Sequence, residues 1–94
     1  MDYQYPLDYE WSTNEIVDVI HLYEAVEQAY EKGITRAEFM NAYRRFKEIV
    51  PSIAQEKKLG NEFEELSGYS LYRVVQKTKN MQENEKIKMN AKVF

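Results

Sequence analysis

Residues 11–39 read WSTNEIVDVIHLYEAVEQAYEKGITRAEF, and this stretch decides the fold. Ser12 with Glu15 three residues on forms a capping box, in which the serine oxygen accepts from a free helical N–H and the glutamate reaches back to the serine N–H. Trp11 and Ile16 flank it as a hydrophobic staple, so a helix begins near Thr13. Its apolar residues Ile16, Val19, Ile20, Tyr23, Val26 and Tyr30 recur at three and four residues, the period of one helical face. Gly33 supplies the left-handed conformation that ends it. Thr35 with Glu38, stapled by Ile34 to Phe39, then opens the next helix at once.

The same punctuation continues outward. In the second helix Phe39, Ala42, Tyr43, Phe46 and Val50 repeat the stripe up to Pro51, which no helix interior tolerates. Ser52 with Gln55 opens a third helix that runs to Gly68. Its stripe is only Leu59, Phe63 and Leu66, and Gly60 in its interior costs about 1 kcal/mol relative to Ala. Ser70 caps a fourth, stapled by Tyr69 to Val74, with Leu71, Val74, Val75, Thr78 and Met81 on its apolar side. No strand-like alternation of any length occurs. The expected fold is all-α, a compact bundle of four helices formed by residues 1–81. Tyr3, Tyr5, Leu7, Tyr9 and Trp11, around Pro6, are expected to lie across the bundle as an aromatic N-terminal segment. Residues 82–94 are mostly polar, with Ile87, Met89, Val93 and Phe94 too irregular for a stripe, and a frayed or partly helical extension is expected.

Composition removes several classes of function. The chain has 94 residues, so one core is all it can bury. It contains no cysteine, which excludes disulfides, thiolate zinc sites and cysteine nucleophiles. With three Gly and two Pro it has neither a GxGxxG nor a GxxxxGK[ST] phosphate loop. No run reaches the roughly 20 apolar residues that span a bilayer, and MDYQYPLDYEW is no secretory leader, so a cytoplasmic location without membrane contact is expected.

The net charge of −3 conceals a division. Residues 1–31 hold eight acidic residues and no basic one, giving −8, while the remainder holds thirteen basic and eight acidic, giving +5. Either the acidic first helix lies against basic helices two and four, or each charge faces a partner.

Candidate chemistry is sparse. His21 is the only histidine, and helical geometry points it away from the stripe toward solvent. Glu27 falls on the core side of the first helix, where a carboxylate needs a partner; Arg44, Arg45, Arg73 or Lys47 is expected to supply a structural ion pair. Glu62, Glu64 and Glu65 with Asp18 or Glu24 lack the spacing of a calcium loop or an ExxH motif and read as solvated surface. Tyr43 and Phe46 lie on the core side of NAYRRFKEIV while Arg44 faces away, which argues against an RNA-stacking surface. No catalytic residue, cofactor site or metal site is expected, and no enzymatic activity.

Residues 63–77, FEELSGYSLYRVVQK, have the form of a helix-turn-helix, with Val74 as anchor and Tyr72, Arg73, Gln76 and Lys77 outward, residue types that read base edges and neutralise phosphate. Three features depart from it. Glu64 stands where a small residue lets the helices approach, Lys77 stands where an apolar anchor is usual, and the Glu62 to Glu65 cluster repels phosphates.

The segments YPLDYEWST, AYRRFKEIVPS and SGYSLYRVVQK together resemble uncharacterised protein family 0223, and the likeness spans the chain up to about Lys79. This resemblance implies an all-helical cytoplasmic protein of Gram-positive bacteria, and it carries over no substrate, cofactor or catalytic residue. The expected function is that of a small cytoplasmic protein-interaction or accessory module whose partner is another protein. A nucleic-acid-binding helix-turn-helix variant using residues 63–77 is the alternative.

Overall fold

The computed structural model describes residues 3–90. Four helices, α1 (Thr13–Glu31), α2 (Arg36–Ile49), α3 (Ile53–Ser67) and α4 (Leu71–Thr78), build an all-α core. Two short strands, β1 (Ile34–Thr35) and β2 (Lys86–Ile87), pair antiparallel with Ile34 opposite Ile87. Their pairing is a departure from the strand-free expectation, and two residues per strand are too few to leave an alternating pattern.

Each helix starts at the cap its sequence announces. The hydroxyls of Ser12, Thr35, Ser52 and Ser70 accept from the backbone N–H of Glu15, Glu38, Gln55 and Arg73. Glu15 returns the bond to the Ser12 N–H and closes the box. At α2 the reciprocal bond differs: the Thr35 hydroxyl donates to the Glu38 carboxylate. Gly33 follows α1 at φ +94° and Gly68 ends α3 at φ +81°, the left-handed conformation that costs glycine least.

The core is drawn mainly from α1, α2 and the centres of α3 and α4. Val19, Leu22, Tyr23, Val26, Phe39, Phe46, Val50, Phe63 and Val74 are fully buried. Leu22, Ala25 and Ala29 join the expected stripe of α1, so its buried face is wider than one ridge. Leu66 does not join the core; near the end of α3 it is exposed.

The N-terminal segment crosses the bundle, as the aromatic content implies. Tyr5 stacks on Tyr23 at 5.4 Å between ring centroids, and Tyr23 on Phe63 at 4.8 Å. The Tyr23 hydroxyl donates to the Pro6 carbonyl at 2.8 Å, so the ring is buried without stranding its polar end. Tyr9 is the exception, standing in solvent on a turn closed by the Trp11 N–H and the Asp8 carbonyl.

The stretch 82–90 is not the frayed extension its composition suggests. Ile87, in β2 and opposite Ile34, is fully buried, and the Met89 N–H donates to the Ala29 carbonyl at 2.8 Å. The carbonyls of Glu85 and Glu83 accept from Arg36 and Ala37, occupying free N–H groups at the start of α2. One buried isoleucine and a set of main-chain bonds order a polar stretch that has no helical period. Val93 and Phe94 lie outside the described residues.

Candidate functional site

A groove of about 840 Å³ lies between α2, α3 and α4. Its walls follow from the glycines and caps around it. Gly60 faces α4, with Leu71 side-chain atoms 3.7 Å from where a Cβ would stand, an ordinary contact distance. Gly68 and Ser70 then turn the chain so that α4 runs along the groove. Met40, Tyr43, Leu71 and Val75 supply apolar lining. Ile53 and Tyr72 also line it and are 68% and 67% exposed, the largest exposures among the large hydrophobic residues of the helices.

Charge around this groove is unevenly satisfied. Lys47 holds Glu56 at 2.7 Å, and Glu56 also accepts from the Tyr43 hydroxyl at 2.8 Å. Burial and that carboxylate keep the Tyr43 phenol protonated well above its ordinary range. Arg36 pairs with Glu83 and donates from Nε to the Thr78 carbonyl. Among the described residues, Lys57, Arg73 and Lys79 have no carboxylate within salt-bridge distance. Glu64 is the one lining carboxylate without a salt bridge. The groove is therefore apolar within and positive at its edge.

The helix-turn-helix candidates fall partly here. Tyr72, Arg73, Gln76 and Lys77 all project outward from α4, and all but Lys77 line the groove. The helix that carries them has only eight residues, about 12 Å of rise.

Glu27 is buried, but its expected cationic partners are elsewhere. Its carboxylate accepts from the hydroxyls of Tyr3 and Tyr5, the latter at 2.9 Å. Two residues apart in the chain, these tyrosines bring their hydroxyls to the same carboxylate with their ring centroids 5.8 Å apart, which composition alone did not reveal. Burial, reinforced by the bond to Glu27, raises both phenols. On the same helix Glu31 accepts from Tyr69 at 2.8 Å, and this bond, with burial, pushes the Tyr69 phenol up to about 12. The resulting depression beside Glu24, Glu27 and Glu31 is polar and shallow compared with the groove.

Asp18 meets Arg45 at 2.8 Å, joining α1 to α2. His21 is exposed as expected, although Asp18 does stand beside it at 4.0 Å, one turn earlier. Among the described residues no three or more His, Cys, Asp or Glu gather where they could hold a metal ion. No helix of the described residues is long and apolar enough to cross a membrane.

The class that the fold defines is a compact all-α chain of four helices, here with an apolar, cation-edged groove. Sequence comparison places it. Residues 2–88 match the family described as Uncharacterised protein family (UPF0223), and the chain belongs to that family. It is 56% identical over 89 residues to a UPF0223 protein of Bacillus cytotoxicus, covering 95% of this chain and all of that one. The UPF0223 protein YktA of Bacillus subtilis is likewise 56% identical over 89 residues, with the same coverage. A UPF0223 protein of Staphylococcus aureus is 48% identical over 88 residues, covering 94% of this chain and 97% of that one.

Proposed function

We propose that this chain is a small cytoplasmic protein-interaction module without catalytic activity, and that the α2–α3–α4 groove is the face it offers to a protein partner. The observation that carries this reading is the pair Ile53 and Tyr72, two large apolar side chains left about two-thirds exposed at one apolar groove. Isolated apolar residues on a surface are ordinary, but two of them continuous with an apolar concavity favour a partner. Tyrosine is also the residue type that carries much of the energy at protein interfaces.

The test is co-purification from the native cell extract after nuclease treatment, comparing the wild type with an Ile53→Ser, Tyr72→Ala double variant and with Tyr9→Ala as an exposed control. The expected result is a protein retained by the wild type and the control and lost by the groove variant. Equal retention by all three overturns the assignment of the groove.

The second reading, duplex DNA binding, is favoured by the outward Arg73, Gln76 and Lys77. Against it stand the shortness of α4 and the presence of Glu64 in the same groove. A steep, salt-sensitive shift of duplex DNA, abolished by Arg73→Glu, would replace the first reading with this one.

A further inference from the structure

The chemistry of the groove narrows what can occupy it. Its walls are three helices whose interior backbone groups are hydrogen-bonded along each helix, and the first N–H groups of α4 are too few to pair with the length of an extended peptide. A helix brings its own backbone bonds and needs only side-chain contacts. Met40, Leu71, Val75, Ile53 and Tyr72 offer those contacts to apolar side chains.

Charge selects among helices. Lys57, Arg73 and Lys79 are unpaired among the described residues, whereas Glu56, on the same walls, is neutralised by Lys47. The surplus is cationic. A second copy of this chain is a poor occupant despite its acidic N-terminal third. The acidic stripe of α1, Glu24 with Glu31, is interleaved with Gln28 and Lys32, and their shared depression contains no apolar residue to enter the groove. A nucleic acid backbone would match the cations but leave Ile53 and Tyr72 without an apolar counterpart, and Glu64 would face its phosphates.

We infer that the groove receives an amphipathic helix of another protein, with apolar residues on one face and acidic residues flanking them. This rests on the reading of the groove as a docking surface and adds the chemical class of the partner. Arg73 and Lys57 would meet the flanking carboxylates, and Ile53 and Tyr72 would grip the apolar face.

The experiment is fluorescence anisotropy at about 0.1 M salt with labelled helix-forming peptides of about four turns. One carries leucines along one face with glutamates beside them, a second replaces each glutamate by lysine, and a third keeps the glutamates but replaces the leucines by serine. Duplex DNA is the fourth probe. The first peptide is expected to bind at least about tenfold more tightly than the others. The Lys57→Glu, Arg73→Glu double variant should weaken it by about tenfold or more, and Tyr9→Ala should leave it unchanged. Unfolding curves of each variant verify that the fold is kept. Preference for the lysine peptide, still lost on Tyr72→Ala, would overturn the acidic partner while leaving the groove as docking surface. Binding that ignores every groove substitution, or no binding by any peptide up to about 1 mM, would overturn both. Tighter binding of the DNA would replace the helix by a nucleic acid.

Discussion

The hydroxyl of Tyr5 donates to Oε1 of Glu27 across 2.9 Å, and Tyr3 donates to the other oxygen of the same carboxylate. One buried acid on α1 thus fastens the N-terminal segment to the bundle. Replacing Glu27 by Gln removes the charge from both bonds and is expected to lower unfolding free energy by about 1–2 kcal/mol, read from urea or thermal unfolding. Tyr5→Phe should cost about 1 kcal/mol, and adding it to Glu27→Gln should cost less than the two separately, because they break one network. An unchanged melting temperature in Glu27→Gln would contradict the latch.

Alkaline pH above about 10 should destabilise this fold. A tyrosine is neutral when protonated, and burial with neighbouring carboxylates holds Tyr3, Tyr5, Tyr23 and Tyr43 protonated in the folded chain well above their ordinary pKa of 10.0, with Tyr69 at about 12. In the unfolded chain all of them ionise near 10. Above that pH the unfolded state binds fewer protons than the folded one, so stability falls as pH rises, while below it the contribution is fully present. Phenolate absorbance should accordingly rise late and cooperatively with loss of helical circular dichroism. Smooth titration of every tyrosine near pH 10 in a still-helical protein would refute it.

The two helix-related glycines of the α3–α4 region should respond oppositely to alanine. At Gly60 a methyl meets only Leu71 at ordinary contact distance, so Gly60→Ala should add about 0.5–1 kcal/mol of stability. At Gly68, φ +81° strains any side chain, and Gly68→Ala should cost about 1 kcal/mol although nothing stands within 4 Å. Denaturant midpoints of the two variants on either side of the wild type are the expected outcome.

Ile87 tests the ordered stretch 82–90. Fully buried within the strand pair, it should cost about 2–4 kcal/mol when replaced by Ala. A frayed segment would give a change near zero in the same unfolding measurement.

Helices were legible here because their signals are local. Each cap is a hydroxyl three residues before the group it accepts from, and each stripe repeats within one or two turns. What escaped was long-range. Tyr3 and Tyr5 find Glu27 more than twenty residues away, and Ile87 finds Ile34 across most of the chain. No local period encodes such a meeting. The same limit applies to charge: Asp18 does meet Arg45 on α2, but Glu27 and Glu31 are satisfied by tyrosine hydroxyls, so the acidic third and the basic remainder are joined only in part. Outward placement of Tyr72, Arg73, Gln76 and Lys77 was legible from helical geometry, whereas the groove that the first three border depends on how α2 packs beside α3 and α4.

The most direct test of the docking groove is site-specific photo-cross-linking in living cells, with a photoreactive phenylalanine replacing Tyr72 in one strain and Tyr9 in another. The account predicts a discrete protein adduct from position 72 that disappears on adding Arg73→Glu, and none of that mass from position 9. Adducts of the same mass from both positions, or an adduct at 72 indifferent to Arg73→Glu, would contradict it.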